Sequence, residues 1–248
     1  MKRSYATAVV LLNLAVFFPL QGQEAEREEQ AEKPAIKRIG DTRFRLGDVE
    51  FDAQTRRIDI PVIVNMREGG PMEYILVHEN GKTHESILTT TARPLHVQIV
   101  LELLRYASGH GDVFNRLLPD ELLEAEGGDE QGRGDAVDVA VQWEEQDDEH
   151  PIAAAPLVID RQRAEPMSVE PWILTGSLSE NGVFLAEAEG SIIAVYLDRF
   201  ALFNMTREGA EIDERWGANG AAIPPVGTRG KIVIGPRDAV IDTSSTED

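Results

Sequence analysis

Strand-like patterns recur along most of this chain. Residues 44–51 and 57–65 alternate or run apolar, with a turn expected at 52–55. Residues 74–78 and 83–90 flank Asn80-Gly81. Asn-Gly between two strand-like runs predicts a hairpin, because a type I′ turn needs positive φ at both central residues. A helix is expected over 92–108. Thr91 is its candidate N-cap, Pro94 suits the first turn, and Leu95, Ile99, Leu103 and Tyr106 recur at helical spacing before Gly109. A second, short helix is expected at 119–125, then a Gly-rich acidic loop at 127–135. Strands resume at 136–143, where Val137, Val139, Val141 and Trp143 alternate with polar Asp138 and Gln142. Further strands are expected at 172–178, 183–187, 192–196, 200–205 and 231–234. Two strand-rich blocks around one main helix predict an α+β fold, a mostly antiparallel β-sheet packed with that helix.

The ends of the chain read differently. Lys2 and Arg3 precede an apolar run over 6–20, too short for the roughly 20 residues of a membrane-spanning helix and suited to a signal peptide cleaved after Gly22. Residues 23–40 are charged and poor in large apolar groups, as expected of a flexible linker, and 242–248 read as a disordered tail. One domain is expected over 41–241. The expected location is the envelope of a bacterium, exported or periplasmic, with no integral membrane segment once the signal is removed.

Charge narrows the partners. There are 44 acidic against 24 basic residues, a net charge of −20. Such a surface repels phosphate backbones and argues against nucleic-acid binding. The cysteine count is zero, which removes thiol nucleophiles, iron–sulfur clusters and cysteine-ligated zinc, and also a lipid anchor on cysteine. No cofactor is expected. The acidic stretches at 127–135 and 147–149 lack the spacing of an EF-hand.

The densest chemistry is His84, Glu85, Ser86, Arg93 and His96. On a hairpin strand His84 and Ser86 would share a face, with Arg93 and His96 at the helix entry. Two histidines and a carboxylate can hold a metal, although no helical His-Glu-x-x-His is present. Ser86 with a histidine base would suit hydrolysis, but it has no Gly-x-Ser-x-Gly elbow. Arg93 beside a helix N-terminus suits an anionic ligand. The same residues could instead tie hairpin to helix through buried hydrogen bonds. Trp172 is a further binding candidate, or a core residue. Gly176 suggests a bulge or a close backbone approach.

Four segments in order, GKTHES (81–86), ARPLH (92–96), WILTGS (172–177) and IPPVGT (223–228), resemble the YdjY-domain family of bacterial envelope proteins over about residues 41–236. The resemblance implies an exported domain without an established reaction. Family members associated with ferredoxin-type clusters have no counterpart here, since no cysteine could hold one. The expectation is a non-catalytic module that binds a protein or small ligand. The alternative is a metal-dependent or serine hydrolase centred on His84, Glu85, Ser86 and His96.

Overall fold

In the computed structural model, residues 35–109, 134–144, 150–237 and 239–240 are described. The helix expected at 119–125 and the acidic stretches at 127–133 and 147–149 lie outside them. Seventeen strands occur among the described residues. In chain order they are β1 Lys37–Arg38, β2 Arg43–Leu46, β3 Val49–Asp52, β4 Ile58–Val64, β5 Tyr74–His78, β6 Ser86–Thr90, β7 Ala136–Trp143, β8 Ile152–Ala153 and β9 Val158–Asp160, then β10 Glu165–Pro166, β11 Trp172–Leu174, β12 Ser179–Glu180, β13 Val183–Phe184, β14 Ser191–Ala194, β15 Phe203–Met205, β16 Trp216–Ala218 and β17 Arg229–Pro236. Among the same residues two α-helices join them, α1 Pro94–Leu103 and α2 Leu185–Glu189.

Eight of the strands close a barrel in the order β4-β17-β7-β11-β15-β14-β5-β6, and β6 returns to β4 through Ile63↔Thr89 and Val64↔Leu88. This corrects the expected α+β sheet packed with one main helix. The helix over 92–108 shortens to ten residues and packs against α2 and β3 rather than covering a sheet. The apolar faces of the strands are covered by each other: Ile58, Ile60, Val62 and Val64 of β4 share one core with Ile232 and Ile234 of β17 and with Val137, Val139, Val141 and Trp143 of β7. Closure removes the open edges of a sheet.

The hairpin expected around Asn80-Gly81 does not form. Strands β5 and β6 run parallel, with Leu76 opposite Leu88 and His78 opposite Thr90. The chain turns back through a 3-10 turn at Thr83–Glu85 and re-enters the barrel beside its own start. Asn65 clamps the crossover, its Nδ2 donating to the carbonyls of Thr83 (2.6 Å) and Ser86 (2.8 Å). β14 and β15 make a second parallel pair, Ile193↔Phe203 and Ala194↔Asn204. The two parallel pairs meet where β14 runs antiparallel to β5. The glycine of Asn80-Gly81 serves contact instead of turn geometry: a Cβ on Gly81 would lie 2.7 Å from the Glu189 carbonyl oxygen at the end of α2.

Two further differences place the candidate site. Residues 44–51 form a hairpin, β2–β3, instead of one strand, with Gly47 at φ +57 as the first residue of its two-residue turn. Positive φ at that position is the requirement of a type II′ turn. Of the strand expected over 183–187, only Val183–Phe184 is extended; Leu185–Glu189 is helical and ends on Gly190 at φ +73. Strand β4 accepts β3 along the first half of one edge and β6 along the second. The β2–β3 hairpin therefore leaves the barrel wall where β4 changes partners.

Candidate functional site

The residues that cluster in the sequence are separated by the parallel crossover. His84 and Glu85 lie in the 3-10 turn, not on a hairpin strand. The His84 side chain is largely exposed, with Nε2 3.5 Å from Glu85 Oε1. Glu85 lies beside Glu73, whose carboxyl is pushed up by burial and then by the Glu85 charge. Ser86 is fully buried, and its hydroxyl donates to the Leu88 carbonyl at 2.8 Å. Its proton is thereby engaged by a backbone carbonyl rather than by a side-chain base.

Arg93 and His96 belong to a different neighbourhood. Glu187 of α2 reaches the start of α1: Arg93 Nε donates to its Oε1 at 2.6 Å and the Leu95 N–H to its Oε2 at 2.9 Å. The protein thus supplies its own carboxylate to the guanidinium and to an orphan N–H of the helix N-terminus, the two groups that would otherwise recruit an anion. The expected N-cap, Thr91, donates to Asp48 of the hairpin turn instead. His96 is buried under that turn, where a Cβ on Gly47 would come within 2.3 Å of its Nδ1. Trp172 is a core residue that donates Nε1–H to the Ala194 carbonyl. At Gly176 the close neighbour is a side chain: a Cβ there would lie 2.6 Å from Cβ and Oγ of Ser108. Among the described residues no three His, Asp or Glu side chains gather to hold a metal ion.

Burial, followed by the Arg93 charge, lowers the pKa of His96 below its usual 6.5. The unfolded chain therefore binds a proton at His96 more readily than the folded one. That contribution to stability is complete above about pH 6.5 and is lost as pH falls toward the folded pKa. Urea midpoints at pH 7.5 and 5.5 should differ more for the wild type than for His96→Gln. Equal differences would contradict this account of His96. Gly47→Ala should cost about 2 kcal/mol, from positive φ and from the imidazole contact. Gly47→Ala combined with His96→Ala should lose less than the sum of the two, as measured in a double-mutant cycle.

A further cleft holds none of these candidates. It has a volume of about 640 Å³ and lies between the β2–β3 hairpin and the outer wall of β4, β17 and β7. Two ion pairs, Arg45–Glu50 and Lys231–Asp59, stand in its lining. Asp59 is buried among cations: Arg57 Nε donates to it at 2.6 Å and Lys231 Nζ at 3.2 Å, and an Arg43 nitrogen lies 3.6 Å away. Glu50 accepts from Arg43 at 2.8 Å and also from Arg45. A second hollow of about 250 Å³ shares Pro61, Glu144 and Gly230 with the first, so the two form one groove across the strands. Sequence reasoning missed this groove because Lys231 and Asp59 are 172 positions apart. The one available signal was polar residues at alternate positions of otherwise apolar strands, which marks an outward face and no more.

The fold is mostly β, and no helix among the described residues is long and apolar enough to cross a membrane. No protein-family model matches the chain, and no curated protein or solved structure matches it significantly.

Proposed function

We propose that this is an exported, non-catalytic recognition module of the bacterial envelope, which engages its ligand or partner in the groove between the β2–β3 hairpin and the barrel wall. The carrying observation is the groove's lining. It includes the strand-borne ion pairs Arg45–Glu50 and Lys231–Asp59, while His84, Ser86 and His96 lie outside it. Rigid, preorganised walls with both signs of charge suit a polar ligand or an extended peptide. The groups with raised or lowered pKa, Glu73, Tyr74 and His96 among them, also lie outside this groove, whereas active sites collect such groups. Export rests on Lys2-Arg3 followed by the apolar run, and the YdjY-like segments agree with an envelope domain of unassigned reaction.

The test is turnover. The purified protein should hydrolyse chromogenic ester, phosphoester, glycoside and peptide substrates no faster than buffer. His84→Ala should change stability by less than about 0.5 kcal/mol, since the side chain is exposed. Turnover by the wild type that is lost in His84→Ala would overturn the reading in favour of a hydrolase.

A further inference from the structure

A second site lies away from the groove and does not depend on it. Strands β10, β9 and β16 form a separate three-stranded sheet. Beside it is a pocket of about 320 Å³ lined by three arginines: Arg163 is exposed, while the side chains of Arg207 and Arg215 are each 9% exposed. Two buried guanidiniums are unusual in a chain of net charge −20. Only one of them is paired with a buried carboxylate. Arg215 donates Nε–H and Nη2–H to Asp160 at 3.0 and 2.8 Å and Nη1–H to the Glu208 carbonyl, and it stacks on Trp216.

Arg207 has no buried carboxylate. Its Nη groups donate to the hydroxyl and carbonyl of Ser168 at 3.0 and 2.7 Å, and its buried Nε has no partner. The nearest acid, Glu170, is half exposed and 3.8 Å away. Of the side chains that are at least nine-tenths buried here, Arg207 and Arg215 face one carboxylate, Asp160; the other charges, Arg163 and Glu170 among them, are exposed. Burial opposes the protonated form of Arg207, the Glu170 charge favours it in part, and the Arg215 charge opposes it. An anion seated here would relieve that repulsion and satisfy the Nε–H. The exposed rim carries three carboxylates, Glu165, Glu170 and Glu208, against one cation, Arg163, and this acidic excess repels a second negative charge.

We propose that this pocket binds a singly charged carboxylate, held by the guanidinium edge of Arg207, from a small organic acid or the C-terminus of a peptide. Asp160 and Arg215 fix the wall against which it sits. Inorganic phosphate, mostly a dianion near pH 7.5, is disfavoured by the rim.

The experiment follows the arginine Nε–H resonances of the ¹⁵N-labelled full chain. Probes are sodium acetate, trialanine, trialanine amide and inorganic phosphate, each against sodium chloride at matched ionic strength. Acetate or trialanine should shift the Arg207 resonance saturably, and the amide and phosphate should not. Tighter binding of trialanine than of acetate points to a peptide terminus, and the reverse to a free acid. Arg207→Gln should weaken acetate at least about tenfold. Should that variant fail to fold, Glu170→Gln decides: its site is exposed, and removing the competing charge should tighten acetate about threefold. Shifts that match chloride, or that persist in Arg207→Gln, or unchanged affinity in Glu170→Gln, would overturn the proposal.

Discussion

Gly190→Ala is expected to cost the domain about 3 kcal/mol and about 10 °C in Tm. Two causes add. Gly190 ends α2 at φ +73, where an L side chain costs about 1 kcal/mol. Its added Cβ would also lie 2.8 Å from the Gly81 Cα, at the point where the β5–β6 crossover passes the end of α2. Two backbones touching through glycines cannot yield as a flexible side chain would, so overpacking of about 2 kcal/mol follows. Two other glycines separate the causes. Gly182 has φ +81 with nothing within 4 Å of a Cβ, so Gly182→Ala should show the conformational cost alone, about 1 kcal/mol. Gly81 lacks positive φ but would place a Cβ 2.7 Å from the Glu189 oxygen, so Gly81→Ala should show the contact alone. Urea unfolding of the three variants checks the scheme. A loss in Gly190→Ala no larger than in Gly182→Ala would mean that the crossover does not touch α2.

Arg215→Met should be nearly as damaging, at roughly 3 kcal/mol. Burial alone would raise the Asp160 pKa. Hydrogen bonds from Arg215 and from the backbone of Arg163 and Gln162 outweigh burial and hold it below the usual range. Removing the guanidinium leaves a buried carboxylate with backbone donors only. Asp160→Asn leaves the cation equally unmatched. The double variant Asp160→Asn/Arg215→Met should lose less than the sum of the two, because breaking the pair costs more than deleting it. The linkage sign is that of a depressed acid: the pair's stabilisation is complete above the ordinary Asp pKa and is lost as pH falls through the folded value. Wild-type stability should therefore drop in strong acid more steeply than that of the double variant. Additive losses would contradict a paired role.

Some of this fold was legible in the sequence. Strand β7 coincides with the alternation of residues 136–143, because one face lines the core and the other does not. The turn after β3 was legible through Asp52, whose Oδ1 accepts the N–H groups of Gln54 and Thr55. The crossover was misread because Asn80-Gly81 outweighed a contrary signal. Tyr74-Ile75-Leu76-Val77 does not alternate; it is a continuous apolar run, buried throughout, as strands of parallel sheets are. Similarly, Leu185–Glu189 reads LAEAE, a sequence of good helix formers, yet its neighbours suggested a strand. Barrel closure could not be read locally, since it rests on β4 meeting both β6 and β17.

The candidate site was less legible still. Proximity in sequence brought His84, Ser86, Arg93 and His96 together, and one change of strand direction separated them. Glu187, which answers both Arg93 and the helix N-terminus, comes from more than ninety positions away. The two pockets depend likewise on distant pairs, Lys231 with Asp59 and Arg215 with Asp160.

The reading as a recognition module depends on that change of direction, and methyl and amide NOEs across β5 and β6 test it most directly. Parallel pairing predicts methyl contacts between Leu76 and Leu88 and backbone contacts between His78 and Thr90. A hairpin turning at Asn80-Gly81 would instead pair Leu76 with Glu85 and His78 with Thr83. Contacts of that second kind would return His84, Glu85 and Ser86 to one strand beside α1 and contradict the account.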